Sequence, residues 1–424
     1  MPPASDRHPA GLTTLFLTEV WERLGFYILM AVLTLHMDKE MGWSDGRKGM
    51  VYGVFLAGCY FFPLAGGWLG DRVLGQIKTV RLGAALMTLG YVALGLSSRN
   101  QVALFCVGLL LVAVGTGILK VNISVLVGNL YVERLHLRDA GFNFYYMGVN
   151  IGAAIAPIAA TLLGFWFGSY RPSFWVGAIG MVLAQVVFYR GKDRLIQTHT
   201  TAAGADHSER TMAPAESRQR VLVLLGLFLV AALFWTGFYQ NGFAMTLFAE
   251  RSTRVVPLLR PETYQFFQPA FILVLTPVLL GLFTLLRMRR AEPSTPRKIL
   301  LGMLVMGVAM LIMCLASRLG GNLDRPIMSP SWLIGVYGVI TIAEVLISPL
   351  GQSFVTKVAP PHLRGRMMGG WFAATATGGY ASGLIGSFYG RMPHHLYYLL
   401  LVGLLGCSAL LVLIQLPRLE RYAA

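Results

Sequence analysis

Long apolar stretches alternate with short polar segments along the whole chain, and this pattern predicts its structural elements. We count twelve such stretches of about 20 to 30 residues, and a helix of roughly 20 apolar residues crosses a bilayer. Their predicted ranges are 12–37, 49–70, 79–98, 102–131, 138–163, 170–190, 219–249, 263–287, 298–317, 331–358, 364–388 and 394–416. The pattern therefore predicts an all-α integral membrane protein with twelve transmembrane helices.

A polar segment separates the sixth apolar stretch from the seventh. Residues 191–218 are rich in Ala, Thr and Ser and lack an apolar period, which is typical of a flexible linker. Six helices, a linker and six helices form the pattern of a transporter built from two bundles. We therefore expect an N-terminal six-helix bundle at 1–190, a linker at 191–218 and a C-terminal six-helix bundle at 219–424.

Composition agrees with a membrane protein. The 424 residues are 55% hydrophobic and 13% charged, whereas a soluble domain is about a quarter charged. A net charge of +16 is compatible with nucleic-acid binding, but basic loops that fix membrane orientation explain it better. Most of the loop lysines and arginines lie on the side of the two termini. This bias predicts that both termini and the linker are cytoplasmic and that the chain contacts the lipid bilayer and no nucleic acid.

The first apolar stretch carries three charges near its centre. The spacing of Glu19, Glu22 and Arg23 places them on one face of a helix, with Tyr27 one turn beyond Arg23. Ionised groups at membrane depth are costly, and chains keep them where a cavity inside the bundle needs them. The alternative is a buried structural salt bridge. Two carboxylates outnumber one guanidinium, so this face needs another cation or a proton.

Two further charges lie deep inside the predicted spans. Lys120 would supply the missing cation for Glu19 and Glu22, whereas Glu344 has no partner of its own in the second half. A cationic pair of Arg23 and Lys120 and an anionic Glu344 would form a dipolar cavity between the bundles. Such a cavity suits a zwitterion with separated ends. The charges favour a peptide-like or amino-acid-like substrate and leave an organic anion as an alternative.

The sequence gives little support for catalysis or for metal binding. It contains no HExxH, GxSxG or His-rich cluster, and its eight His lie in loops or near span ends. The four Cys occur singly, without the CxxC spacing of metal sites. We therefore expect neither an enzyme nor a bound metal. A receptor that resembles a transporter but does not translocate its ligand stays open.

A series of motifs, in order along the chain, resembles one transporter family. The loop motif Gly67-x-x-x-Asp71-Arg72 resembles that of the major facilitator superfamily, in which the Asp caps a helix end and the Arg bridges helices. Three further segments match family motifs: Glu19-x-x-Glu22-Arg23-Leu24-Gly25-Phe26-Tyr27 matches ExxERFxYY, Lys120-Val121-Asn122 matches KPN, and residues 145–152 match FYxxINxG. Matches to the seventh, tenth and eleventh spans of the family are Phe234-Trp235 with residues 246–250, residues 344–360, and Trp371-Phe372. Over nearly its whole length the chain resembles the proton-coupled oligopeptide transporters, the POT branch of that superfamily.

The resemblance implies the major facilitator fold and a secondary active transporter in the cell (inner) membrane. Such a protein imports di- and tripeptides together with protons by alternating access, needs no cofactor besides the coupling protons, and is expected here to be a monomer. The residues that the resemblance assigns to substrate binding are Arg23, Tyr27, Tyr60, Lys120 and Asn150 for the carboxylate and backbone, Gln268 and Glu344 for the amino end, and Trp371 beside a side-chain pocket. Those assigned to proton coupling are Glu19, Glu22, Arg23 and Lys120.

Three features depart from the family's pattern. Tyr239 stands where the family has a Glu before Gln240, a proposed proton site, and Gln268 stands where it has an Asn before a Pro. The linker is too short for the two extra helices that bacterial relatives often carry. The loss of the Glu leaves an uncoupled peptide facilitator as an alternative, and a POT-like transporter of another organic anion or amphiphilic metabolite is a second one.

Overall fold

The computed structural model describes residues 8–197 and 213–423, and within these residues the chain is almost entirely helical. Thirteen α-helices follow one another in the described chain: α1 (Gly11–Leu35), α2 (Asp45–Trp68), α3 (Gln76–Leu96), α4 (Val102–Asn129), α5 (Arg138–Phe167), α6 (Arg171–Gly191), α7 (Pro214–Phe238), α8 (Ala244–Arg251), α9 (Phe267–Met288), α10 (Thr295–Leu319), α11 (Pro330–Val358), α12 (Arg364–Gly386) and α13 (His394–Ala423). Every predicted stretch is helical, and the seventh comprises α7, a short 3₁₀ turn and α8. The all-α fold is confirmed, while residues 198–212 of the predicted linker lie outside the described residues.

Most of these helices have the length and apolarity that a membrane span needs. Ten segments of the described chain pass that test by length and composition, and α1 and α12 are not among them. The helix α1 carries Glu19, Glu22 and Arg23 in its middle. Charges inside an apolar helix are costly and usually face the interior of a helix bundle.

The described chain separates into two compact units. The first contains residues 8–42 and 58–197, and in it α3 packs on α4 while α1 packs on α5 and α6. Small residues allow these helices to approach closely. A Cβ atom at Gly152 of α5 would lie 2.6 Å from the carbonyl oxygen of Val20 on α1. The centre of α1, with its three charges, is thus enclosed by the neighbouring helices.

The second unit contains residues 43–57 and 213–423. Here α10 packs on α11 and α13, and α7 packs on α12 and α13. The first part of α2 belongs to this unit, where a Cβ atom at Gly53 would lie 2.7 Å from the carbonyl oxygen of Tyr380 on α12. The predicted division at 1–190, 191–218 and 219–424 stays a prediction, and the grouping of residues 43–57 is a feature that it did not include.

The loop motif after α2 packs differently from the sequence-based expectation. Nothing lies within 4 Å of a Cβ atom placed at Gly67, whereas the side chain of Asn122 occupies the place of a Cβ atom at Gly70. Asp71 accepts a 3.3 Å hydrogen bond from the side-chain amide of Gln76, at the start of α3. The exposed Arg72 forms no ion pair in the described ranges, so the expected bridge between helices is wrong for this structure.

One carboxylate links the π-helical segment His36–Glu40, which continues α1, to the start of α6. Glu40 Oε1 accepts hydrogen bonds from the backbone N–H of Tyr170 at 2.5 Å and from Ser169 Oγ at 3.1 Å. Glu40 Oε2 lies 3.3 Å from His36 Nδ1. Burial on its own would raise the pKa of Glu40, but the hydrogen bonds from His36, Tyr170 and Ser169 prevail and lower that pKa below its ordinary value. Glu40 is therefore a charged link between two helix ends.

Candidate functional site

The three charges of α1 form one buried ion-pair network. The Arg23 guanidinium holds Glu22 with two donors, Nη2 to Oε1 at 2.6 Å and Nε to Oε2. Arg23 Nε also lies 3.2 Å from Glu19 Oε1, and all three residues are buried. A planar guanidinium suits two-point binding of a carboxylate. The shared helical face expected from the sequence is present, and one arginine pairs with both glutamates.

A residue that sequence reasoning missed completes this network. The buried Thr116 of α4 donates its hydroxyl hydrogen to Glu22 Oε1 at 2.8 Å and accepts a hydrogen bond from Arg23 Nη2 at 3.3 Å. A neutral hydroxyl in an apolar helix gives no charge signal in a sequence. Its position one turn before Lys120 was the one available indication.

Lys120 lies apart from the two glutamates that it was expected to neutralise. Its side chain is exposed, and its Nζ lies 5.8 Å from the centroid of the Tyr60 ring. Within residues 8–197 and 213–423 it forms no direct ion pair, but its charge still interacts with those of Glu19 and Glu22, so its expected role as their second cation stays a prediction. A lysine side chain without a carboxylate in direct contact is available to an anionic ligand.

The other residues predicted around the carboxylate end lie in the same unit. Tyr27 is half-buried and meets Phe26 edge to face, with ring centroids 5.5 Å apart. Arg23 Cζ lies 5.1 Å from the centroid of the Phe26 ring. Asn150 is buried in α5, and its side-chain amide donates to the backbone carbonyl of Tyr146 at 3.0 Å. The Phe26 contact places an aromatic ring beside the Arg23 guanidinium, whereas the hydrogen bond of Asn150 stays within α5.

The second unit contains a carboxylate with an uncharged partner. Glu344 of α11 and Gln268 of α9 are both half-buried, and Gln268 Nε2 donates to Glu344 Oε2 at 2.6 Å. No cation pairs with Glu344 in the part of the chain that the structure describes. Trp371, expected beside a side-chain pocket, is 2% exposed, and its ring occupies the place of a Cβ atom at Gly351. Its role at a pocket stays a prediction.

Tyr239 is fixed within the second unit where α7 ends. It begins the 3₁₀ turn Tyr239–Gly242, is buried, and stacks on Trp235 with ring centroids 5.4 Å apart. Its backbone carbonyl accepts a 3.0 Å hydrogen bond from Tyr52 Oη. The next residue, Gln240, donates to Ser382 Oγ at 3.1 Å and accepts from Tyr397 Oη at 2.7 Å. The position where the family has an acid is thus part of a packed aromatic and polar cluster.

Two further features bear on metal and disulfide chemistry. The described residues bring no three His, Cys, Asp or Glu side chains together in a group that could bind a metal ion. The four cysteines, Cys59, Cys106, Cys314 and Cys407, are free thiols.

Comparisons with known proteins agree with the geometry. A family model described as the POT family matches residues 77–205 and 195–397. The chain is 29% identical to the peptide transporter YePEPT of Yersinia enterocolitica, over 97% of this chain and 94% of that protein. It is 29% identical to a di-/tripeptide transporter of Lactococcus lactis subsp. cremoris, over 97% of this chain and 96% of that protein.

Solved structures give the same result. The chain is similar to a crystal structure of peptide transporter POT in complex with sulfate, with a TM-score of 0.89, 27% identity and coverage of 99% of this chain and 96% of that one. A mutant peptide transporter POT in complex with alafosfalin gives a TM-score of 0.87 at 28% identity, with coverage of 99% and 96%. The similarity in fold therefore extends along almost the whole chain.

Proposed function

The chain belongs to the POT family, and from this premise we propose that it imports di- and tripeptides by alternating access, driven by a proton gradient. Relatives and solved structures that carry the name of peptide transporter support the substrate class. The observation that carries the proposal is a pair of opposite charges without ionic partners in the described chain: the Lys120 ammonium and the Glu344 carboxylate. A peptide zwitterion supplies the complementary charge to each.

The binding roles follow from the donors and acceptors that each unit offers. Lys120 and Arg23 bind the peptide carboxylate, with the side chains of Tyr27, Tyr60 and Asn150 near them. Glu344 binds the amino end, and Gln268 orients its carboxylate through the 2.6 Å hydrogen bond. Trp371 packs near the peptide side chain. Charge-assisted hydrogen bonds of this kind are about twice as strong as neutral ones.

Proton coupling rests on the shared guanidinium. Arg23 pairs with both Glu19 and Glu22, so protonation of one carboxylate weakens the hold on the guanidinium and releases it for the peptide carboxylate. A proton can shift a conformational balance only by binding the two states differently, and the exchange of Arg23 between carboxylates provides that difference. The membrane potential adds about 2.3 kcal/mol per inward charge per 100 mV.

The proposal includes a location and an orientation. The protein acts as a monomer in the cell (inner) membrane with both termini in the cytoplasm. The excess of Lys and Arg in the loops on the side of the termini supports this orientation.

Uptake by proteoliposomes that contain the purified protein tests the proposal. Labelled dipeptide should accumulate above its external concentration when an inward proton gradient is imposed, and a protonophore should abolish this accumulation. Exchange without accumulation would favour the facilitator alternative, which the buried Tyr239 in place of an acid supports. Competition by organic anions but not by dipeptides would reject peptide transport.

A further inference from the structure

The hydroxyl of Thr116 joins helix α4 to the buried charges of helix α1. It donates to Glu22 Oε1 at 2.8 Å and accepts from Arg23 Nη2 at 3.3 Å. A hydroxyl has one hydrogen and two lone pairs, so it can satisfy a carboxylate and a guanidinium at the same time. Thr116 therefore contacts both members of the tightest ion pair in the network.

The packing of α4 holds this hydroxyl in place. A Cβ atom at Gly115 would lie 2.6 Å from the carbonyl oxygen of Gly83 on α3, and one at Gly117 would lie 2.6 Å from Phe62 Cβ on α2. The two glycines thus seat α4 against one neighbour on each side of position 116. Because the helix cannot turn without a clash, Thr116 stays directed toward α1.

The hydrogen bonds distinguish the two glutamates. Both oxygens of Glu22 accept: Oε1 from Thr116 and Arg23 Nη2, and Oε2 from Arg23 Nε. Glu19 lies 3.2 Å from Arg23 Nε and receives no hydrogen bond from Thr116. A protonated carboxyl turns one oxygen into a donor. Protonation of Glu22 therefore has to break the arrangement that Thr116 maintains.

We propose that Thr116 is a positioning residue for proton coupling. Its hydroxyl keeps Glu22 paired with Arg23, and when that pair breaks, the change in hydrogen bonding acts on α4. Lys120 follows Thr116 by one helical turn, so a change at the hydroxyl acts on the segment that carries the proposed carboxylate-binding ammonium. This inference rests on the proposed proton-driven uptake and assigns a part in it to a neutral residue.

Several ionisable groups share the electrostatic surroundings of Glu22, and any pH dependence belongs to this set. They are Glu19, Arg23 and Tyr27 on α1, Cys59 on α2, Tyr91 on α3, Lys120 on α4 and Tyr145 on α5. Thr116 itself does not titrate. A variant at this position therefore changes one hydrogen-bond partner and leaves every ionisable group in place.

Two substitutions separate the hydroxyl from the volume of the side chain. Thr116→Val keeps the shape and removes the hydroxyl, whereas Thr116→Ser keeps the hydroxyl. In Thr116→Val we expect the pH midpoint of dipeptide uptake to move upward by about one unit, because a hydrogen bond to a charged acceptor is lost. Accumulation driven by the gradient should also fall relative to exchange. Thr116→Ser should behave like wild type.

A matched control is Thr79→Val on α3. Thr79 is buried, and its hydroxyl donates only along its own helix, to the carbonyl of Gly75 at 2.8 Å. This variant should leave both the pH midpoint and the ratio of accumulation to exchange unchanged. Equal behaviour of Thr116→Val and wild type would overturn the proposal, and so would a Thr116→Ser variant as impaired as Thr116→Val.

A spectroscopic measurement decides the question independently of transport. Infrared difference spectra of the purified protein across a pH titration report the C=O band of protonated carboxyl groups, and Glu22→Gln identifies the contribution of Glu22. Thr116→Val should shift the appearance of this band to higher pH. If wild type fails to concentrate dipeptide, the proposed function fails, whereas an unshifted band in Thr116→Val refutes the role of Thr116 itself.

Discussion

The side-chain amide of Gln268 donates a 2.6 Å hydrogen bond to Oε2 of Glu344, which links helix α9 to helix α11. An amide donor orients a carboxylate without neutralising it. In the described chain no cation forms an ion pair with Glu344. A peptide ammonium would supply that cation, and the hydrogen bond would keep the carboxylate in position to receive it.

We expect N-acetylated dipeptides to compete at least about tenfold more weakly than free dipeptides for binding to the purified protein. Acetylation removes the charge that Glu344 would bind, and a hydrogen bond to a charged group contributes roughly 1.5–3 kcal/mol. Binding competition against a labelled dipeptide measures the difference. In Glu344→Gln the two competitors should become similar. Equal competition in wild type would remove the amino-end role from Glu344 and would favour an anion transporter.

The cations of the first unit should be essential for accumulation and not for folding. Arg23→Ala would leave two buried carboxylates without their partner, at a cost of roughly 3–5 kcal/mol, so Arg23→Lys is the more informative change. An ammonium keeps the charge but not the two-point geometry. We expect Arg23→Lys and Lys120→Ala to lose concentrative uptake while the purified variants remain monodisperse. Lys78→Ala, at an exposed lysine of α3, is the control. Normal accumulation by both variants would contradict the charge-network interpretation.

Glu40 should make the stability of the protein depend on pH. Hydrogen bonds lower the folded-state pKa of Glu40 below its ordinary value of about 4.3. The stabilisation is therefore complete above that ordinary value and is lost as the pH falls through the folded-state pKa. We expect Glu40→Gln to lower the thermal unfolding temperature at pH 7 and to flatten its decline between pH 5 and pH 3, relative to wild type. Glu133→Gln, at an exposed glutamate, should do neither. If the unfolding temperatures of Glu40→Gln and wild type depended on pH in the same way, the hydrogen bonds of Glu40 would not stabilise the fold.

The sequence predicted the helices well, because a bilayer span requires a length and an apolarity that are visible residue by residue. It also placed Glu19, Glu22 and Arg23 on one face, since helical spacing depends only on local geometry. Counting charges suggested Lys120 as the second cation, yet the structure pairs both glutamates with Arg23. Which cation reaches a carboxylate depends on side-chain direction and on the packing of α4, and these are tertiary properties.

Other features could not be predicted for a similar reason. Thr116 is neutral, so a search for charges passes over it. Gln268 and Glu344 meet across two helices that are far apart in the sequence. The glycine that packs closely in the loop motif is Gly70 and not Gly67, a distinction that depends on where the side chain of Asn122 lies.

Tyr239 raises the question of which residue carries the proton. Its ring stacks on Trp235, a packing contact that a carboxylate side chain would not make. An unperturbed phenol has a pKa of about 10, far above neutral pH. We expect Tyr239→Phe to keep gradient-driven uptake, because it retains the stacked ring and removes only the phenol oxygen. Loss of coupling in this variant, with exchange intact, would show that the phenol takes part.

With Tyr239 set aside, the carboxylates that we propose for proton coupling are Glu19, Glu22 and Glu344. Glu19 and Glu22 share one guanidinium, so a proton on either changes how Arg23 is held, whereas Glu344 has a neutral amide as its partner. We expect Glu22→Gln to lose gradient-driven uptake and to retain peptide exchange, and Glu19→Gln to show a similar or weaker defect. Counterflow and proton-driven uptake measured on the same proteoliposomes separate the two activities.

Accumulation by Glu22→Gln on an imposed pH gradient would place coupling at another carboxylate. Exchange without accumulation in wild type would mean that the protein is a facilitator, in which Arg23 binds the peptide and the glutamates hold Arg23 in place.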